Sequence, residues 1–190
     1  MRFKANQLIR FLQAIDRHLG EQLDLVIIGG TAALLAYGAQ RTTRDIDTDK
    51  PYSGDLHAAV IAATRETGFD IPVEYPGVED PPYDYVQRLQ LVNIPNLQKL
   101  TVKVPEKHDL VLMKAVRGQE NDLQVAEEIH KNHPLDLDVL IERWLTEMQQ
   151  AIGDRSRLDG NLTVLISRLF GEDSAEMATE RVKSWHEERP

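Results

Sequence analysis

The stretch LVIIGGTAALLAYGAQRTTRDIDTDK, residues 25–50, constrains the fold more than any other part of the chain. It starts as an apolar run fit for burial and ends in two carboxylates, Asp45 and Asp47, separated by one isoleucine. LDLVII, residues 23–28, reads as a short buried strand, rich in branched apolar side chains and ended by Gly29 and Gly30. TAALLAY has helix-forming composition, with Thr31 as its cap. RTTRDIDTD suits a second strand, on which alternation places Arg41, Thr43, Asp45 and Asp47 on one face and Ile46 on the other. Both carboxylates then point the same way, and something must compensate them for it.

The remainder predicts a small mixed sheet followed by a helical half. Leu8, Ile9, Leu12, Ile15 and Leu19 recur at helical spacing near the start, so this segment is a helix and not the unbroken core of a signal peptide. Residues 54–67 read as a helix introduced by Ser53 and closed by Gly68. IPVEYPGVEDPPYDY is a proline-rich acidic loop, in which Glu79 and Asp80 are expected to be solvated. YVQRLQLVNI and LQKLTVKV alternate as an antiparallel strand pair joined at Pro95-Asn96. From Pro105 onward the helical candidates are 106–117, 121–131, 135–151, 160–170 and 174–187, with breaks at Gly118, Pro134, Gly153 and Gly171. The predicted division is therefore 1–104, an α/β core with an N-terminal helix, and 105–190, a helical region that closes the site of the first.

Several classes of protein are excluded. With no cysteine, disulfides, thiolate metal sites and a cysteine nucleophile are ruled out. A net charge of −9 opposes non-specific coating of nucleic acid, although a local basic groove stays open. The most membrane-like window, residues 23–39, contains Asp24 and the Gly-Gly pair and falls short of the ~20 apolar residues of a membrane span. A cytoplasmic protein without a membrane partner is the expectation.

Aspartates two apart on a strand hold their Cβ atoms about 5 to 7 Å apart, close enough to share a cation. Magnesium or manganese removes the repulsion between them and suits both carboxylates and nucleotide phosphates. A strand ending in glycines before a helix offers exposed backbone N–H groups and a favourable dipole to a phosphate, where a side chain would block approach. Taken singly, Gly29-Gly30 also reads as a tight turn and DID as a solvated strand end.

In this order and spacing, the two motifs resemble the nucleotidyltransferase superfamily related to DNA polymerase β: a strand ending in GG, a helix, and a second strand carrying DxD. GGTAALLAYGAQRTTRDID is similar, more closely, to the AbiEii-type and DUF6036-type nucleotidyltransferases, with Gly29, Gly30, Arg41, Thr43, Asp45 and Asp47 at the motif positions. The resemblance implies a minimal nucleotidyltransferase α/β (α+β) fold and transfer of an NMP from an NTP to a hydroxyl. Asp45 and Asp47 would be catalytic and hold Mg2+ or Mn2+, and Gly29, Gly30, Thr31, Arg41 and Thr43 would bind the nucleotide. HDLVLMKAVRGQENDLQVAEEI resembles the families' helix of the form DLxxxK with an arginine after it, here three residues on, and the resemblance adds Lys114 and Arg117 as phosphate contacts; by themselves the two cations also read as surface pairs with Glu120 and Asp122. The acceptor would be an RNA end such as tRNA, a protein side chain or a small molecule. AbiEii-like proteins commonly act as toxins paired with an antitoxin protein, so the resemblance implies such a partner.

The chain departs from the superfamily at one point. A third carboxylate usually lies on a later strand, where this sequence has Arg88, Gln90 and Lys103, with Glu74 and Asp84 just upstream. The alternative reading is a degenerate module that binds a nucleotide or a protein without transfer. His130 and His133 read as a solvated helix end, and His57 and His108 as single histidines without a catalytic role. Trp144, Trp185, Leu140, Leu165, Ile166 and Leu169 read as helical core.

Overall fold

The computed structural model describes residues 1–40, 42–52, 54–77 and 80–188. In chain order it contains α1 (Ala5–His18), β1 (Leu23–Val26), α2 (Gly29–Ala36), β2 (Ile46–Asp47), α3 (Gly54–Thr67) and β3 (Val73–Glu74). A 3-10 turn (Tyr85–Arg88) precedes β4 (Gln90–Leu91) and β5 (Leu100–Val104). Then follow α4 (Lys107–Arg117), α5 (Glu120–Asn132), α6 (Leu137–Glu147), α7 (Arg155–Phe170) and α8 (Glu172–Glu187). The fold is α+β, and no helix among the described residues is long and apolar enough to cross a membrane. The chain divides into two compact units, Met1–Val78 with Leu89–Pro105, and Glu79–Arg88 with Glu106–Pro190.

In the first unit β5 is central, parallel to β1 and antiparallel to β4, with Leu23 opposite Leu100 and Gln90 opposite Val104. A second ladder pairs β2 with β3 in parallel. The two ladders meet where Ile27, just beyond β1, bridges Thr48 in the antiparallel sense. Helix α1 lays Leu8, Phe11, Leu12 and Ile15 into the core and packs on α3 and β5; Ile9, on the predicted stripe, stays half-exposed. Its last turn also buries Asp16, 4% exposed, whose carboxylate accepts the backbone N–H groups of Gln98 (3.0 Å), Lys99 (2.7 Å) and Leu100 (2.7 Å). Burial pushes this carboxyl up, and the three donors together outweigh it and hold its pKa below the usual range. The turn that feeds β5 is thus fastened to α1.

Three local expectations change. The helix predicted from Thr31 begins two residues earlier, at Gly29, with Ile28 at the N-cap. The strand predicted over 41–49 pairs as a ladder only at Ile46–Asp47, because Thr43 exchanges two backbone hydrogen bonds with Phe3 instead. The strand predicted from Tyr85 shrinks to Gln90–Leu91, because Tyr85–Arg88 turns away into the second unit. Helix α3 matches its predicted bounds and closes at Gly68, where φ is +71°. Ser53 and Glu79 lie outside the described residues.

The second unit is built around α4, in which every residue from His108 to Val116 is buried. Trp144, Leu140, Leu165 and Ile166 fill its core as predicted, whereas Trp185 and Leu169 remain half-exposed. His130 accepts the Leu135 N–H at Nδ1 (3.1 Å) and sits edge-on to Phe170, a structural role. Asp109, fully buried, is clasped by Arg88 through Nε (2.9 Å) and Nη2 (3.0 Å) and by Arg143 through Nη1 (2.8 Å). Arg88 also reaches Glu147 (2.6 Å), and Arg143 reaches Glu106 (2.7 Å). His108 accepts the Asp136 N–H at Nε2 (2.8 Å), so its Nδ1–H donates to Glu106 (2.9 Å). Desolvation raises the Glu106 carboxyl, but His108 and Arg143 override it and bring the pKa to about 2.

This network sets the response of the second unit to acid. The folded pKa values of Glu106 and Glu147 lie below their unfolded ones, so their stabilisation is complete above about pH 5 and is lost as pH falls toward about 2. Asp109→Asn leaves two partly buried guanidiniums short of an anion and should cost about 3 kcal/mol or more. Urea unfolding at pH 7 and pH 3.5 checks both: the wild type should weaken at the lower pH, and the variant should be weak at both.

Candidate functional site

The site forms where β1 runs out. Ile27 donates its N–H to Lys103 O (2.8 Å), still in the first ladder, and the next residue, Ile28, donates to Asp47 O (2.9 Å). The chain then turns into α2 through Gly29 at φ +65°. A Cβ on Gly29 would lie 2.7 Å from Asp47 Oδ2, inside any allowed contact. Glycine is therefore required twice, for its backbone and for the carboxylate packed over it. The first residues of a helix have no intrahelical acceptor for their N–H groups, and in α2 the first such bond runs from Ala32 N to Ile28 O. The Asp47 carboxylate sits against this electropositive end.

The other residues of the motif position Asp45. Thr31 is 1% exposed, and its hydroxyl donates to Asp45 O (2.7 Å). Thr43 Oγ1 donates to the same carbonyl (3.1 Å) and lies 3.3 Å from Asp45 Oδ1. Two hydroxyls thus fix the peptide of Asp45, and neither Thr31 nor Ile46, both buried, offers its side chain to a ligand. Asp45 and Asp47 are half-buried and Gly30 is exposed; a Cβ on Gly30 would meet only Thr43 Oγ1, at 3.8 Å. Arg41 lies outside the described residues.

The position of the other acids follows from the ladders. Glu74 stands directly opposite Asp47 in the parallel β2–β3 pair, so the two project from the same face. Asp84, the other upstream acid, donates its backbone N–H to Glu147 (3.0 Å) in the second unit. Lys103 pairs with Asp24 (2.6 Å) and, mainly by that bond, holds the Asp24 carboxyl below its usual range. Among the described residues no three His, Asp or Glu side chains gather closely enough to hold a metal ion. What the site offers is a pair of oxygen ligands beside a helix N-terminus, a donor set that suits Mg2+ or Mn2+ once other oxygens complete the shell.

Lys114 and Arg117 do share a face, and both converge on Asp122. Lys114, 4% exposed, places Nζ 3.3 Å from Asp122 Oδ1, and Arg117 reaches the same carboxylate through Nη2 (2.6 Å) and Nε (3.1 Å). The pairing with Asp122 that their spacing also allowed is present, with Lys114 and Asp122 buried and Arg117 exposed. The network of Asp109, Arg88 and Arg143 and the backbone bonds of Asp16 were not legible in the sequence. Their one signal is an acid inside an apolar helical face, as in HDLVLM.

A family model described as "Nucleotidyltransferase of unknown function (DUF6036)" matches residues 5–163. No curated protein matches the chain, and no solved structure does.

Because Gly29 needs a positive φ and leaves no room for a methyl group, Gly29→Ala should destabilise the first unit by about 1–3 kcal/mol. Gly30→Ala should stay within about 1 kcal/mol of the wild type. Thermal unfolding of the two variants side by side checks the difference.

Proposed function

The chain belongs to the DUF6036 nucleotidyltransferase family, and on that premise we propose that it moves a nucleoside monophosphate from an NTP to an acceptor hydroxyl. The observation that carries the reading is the Asp47 carboxylate packed on Gly29 at the N-terminus of α2, with Asp45 two residues before it, in the bend that leads into β2. Asp45 and Asp47 would hold Mg2+ or Mn2+, whose charge, when bound, offsets that of the triphosphate. The N–H groups of Gly29, Gly30 and Thr31 face the phosphates, which approach closely because Gly30 has no side chain. Thr31 and Thr43 act indirectly, by holding the peptide of Asp45. In the reaction the acceptor oxygen attacks the α-phosphorus, the bond from that phosphorus to the bridging oxygen of the β-phosphate breaks, and pyrophosphate leaves. The proton of the acceptor hydroxyl passes to a carboxylate of the pair or to water.

Arg41, Lys114 and Arg117 belong to the proposal as cations that meet the phosphates. Lys114 and Arg117 enter by the resemblance alone, and within the second unit both are paired with Asp122. The acceptor classes remain an RNA end such as tRNA, a protein side chain and a small molecule, and an antitoxin protein remains the partner that the resemblance implies. The second reading, a module that binds without transferring, is favoured by one observation: among the described residues no third acid, Glu74 included, comes close enough to Asp45 and Asp47 to hold a metal ion with them.

Incubation with labelled NTPs, Mg2+ or Mn2+ and total tRNA or protein should transfer label. Asp45→Asn and Asp47→Asn should each abolish transfer, by at least about a hundredfold, with folding intact by circular dichroism. Transfer that persists in the double variant would place the active site elsewhere. Because the protein supplies few ligands, NTP with Mg2+ should raise the melting temperature far more than Mg2+ alone. Binding without transfer in every variant would select the second reading.

A further inference from the structure

The face of the second unit between α6 and α8 has no role in the proposed chemistry. It forms an open groove of about 470 Å³. Leu145, Met177 and Trp185 supply its apolar surface, with Met177 40% exposed although it is a large apolar side chain. The rim carries Glu142, Glu180 and Glu188, whereas its cation, Arg181, is already paired with Asp138 (2.6 Å). From Met177 to Glu188 the lining residues of α8 and its C-cap recur at intervals of three and four, so they form one stripe about 16 Å long. That length matches three turns of a second helix. Helix α8 also lies beyond residue 163, where the family match ends.

We propose that this groove docks a basic amphipathic helix of a partner protein, with its apolar side chains on Leu145, Met177 and Trp185 and its lysines or arginines on Glu142, Glu180 and Glu188. Charge selects this occupant. A nucleic acid would bring phosphates to a rim of carboxylates. A second copy would bring the same acidic rim from a chain of net charge −9. The proposal does not depend on the transferase reading, because it uses none of its residues.

Trp185 supplies the assay. The chain has two tryptophans and the other, Trp144, is fully buried, so a change in emission on docking reports Trp185. The probes are two synthetic 14-residue peptides with leucines at positions i, i+3, i+4 and i+7, one with lysine and one with glutamate at the polar positions. The lysine peptide should shift the emission and the glutamate peptide should not; Trp185→Phe should remove the signal. Glu142→Lys with Glu180→Lys should weaken the lysine peptide at least tenfold. Glu21→Lys with Asp70→Lys, two exposed acids of the first unit, makes the same change in net charge and should weaken it less than threefold. Equal loss in both double variants, equal binding of both peptides, or a dimer by light scattering that shields Trp185 would each overturn the proposal. These outcomes leave the labelling assay untouched, so the two readings fail separately.

Discussion

The first unit depends on one contact, the hydrogen bond from Ile28 N to Asp47 O beside a glycine in the left-handed region. Strand β2 has only two residues and could not stand as half of an isolated pair. It is held on one side by β3 and on the other by the residues that leave β1. The same bond that completes the sheet brings Asp47 over the entry to α2. A one-residue slip would send Ile46 to the surface and both carboxylates into the core, so burial of Ile46 and placement of the aspartates are the same constraint. Gly29 permits this geometry, since any other residue would bring a side chain against the carboxylate.

The chain contains two kinds of buried or half-buried acid, and their surroundings separate them. Asp16, Asp109 and Asp122 are each less than 5% exposed and closed in by donors: three backbone N–H groups, two arginines, and a lysine with an arginine. Such acids cost several kcal/mol to bury, and the donors that the fold supplies offset that cost. Asp45 and Asp47 stay half-buried on a strand end, where solvent or a ligand can reach them. The difference that the proposed function uses is exposure: the first three are shut away from solvent, and the last two are not.

How much was legible follows the range of the interaction. The order of β1, the GG entry to α2 and β2 was readable because strand, turn and helix are local, although only Ile46 and Asp47 of the DID motif pair as a strand. The bounds of α3 were readable from Gly68, and the core positions of Trp144, Leu140, Leu165 and Ile166 from their spacing. Arg88 was not. Its neighbours alternate like a strand, yet its guanidinium is drawn to Asp109 and Glu147, 21 and 59 residues away, and that pairing turns Tyr85–Arg88 into a 3-10 turn. Trp185 failed for the opposite reason: an amphipathic stripe predicts a core, and only the packing of α8 shows that its apolar side chain faces an open groove.

The same electrostatics weigh on which acceptor the proposed transfer would use. Many basic side chains are already held by acids: Lys103 by Asp24, Arg168 by Glu120 and Glu127, Arg143 by Glu106 and Asp109, Arg117 and Lys114 by Asp122. An RNA bound along its backbone would have to displace such pairs one by one against a net charge of −9, and every phosphate seated on such a cation would leave a carboxylate without its partner. A hydroxyl on a protein side chain or a small molecule carries no such cost, because it needs only its own oxygen at the α-phosphorus. If RNA is the acceptor, it is held at its end by few contacts, and transfer to it falls only shallowly with salt; a steep dependence would require a basic track that the ion pairing of these residues opposes.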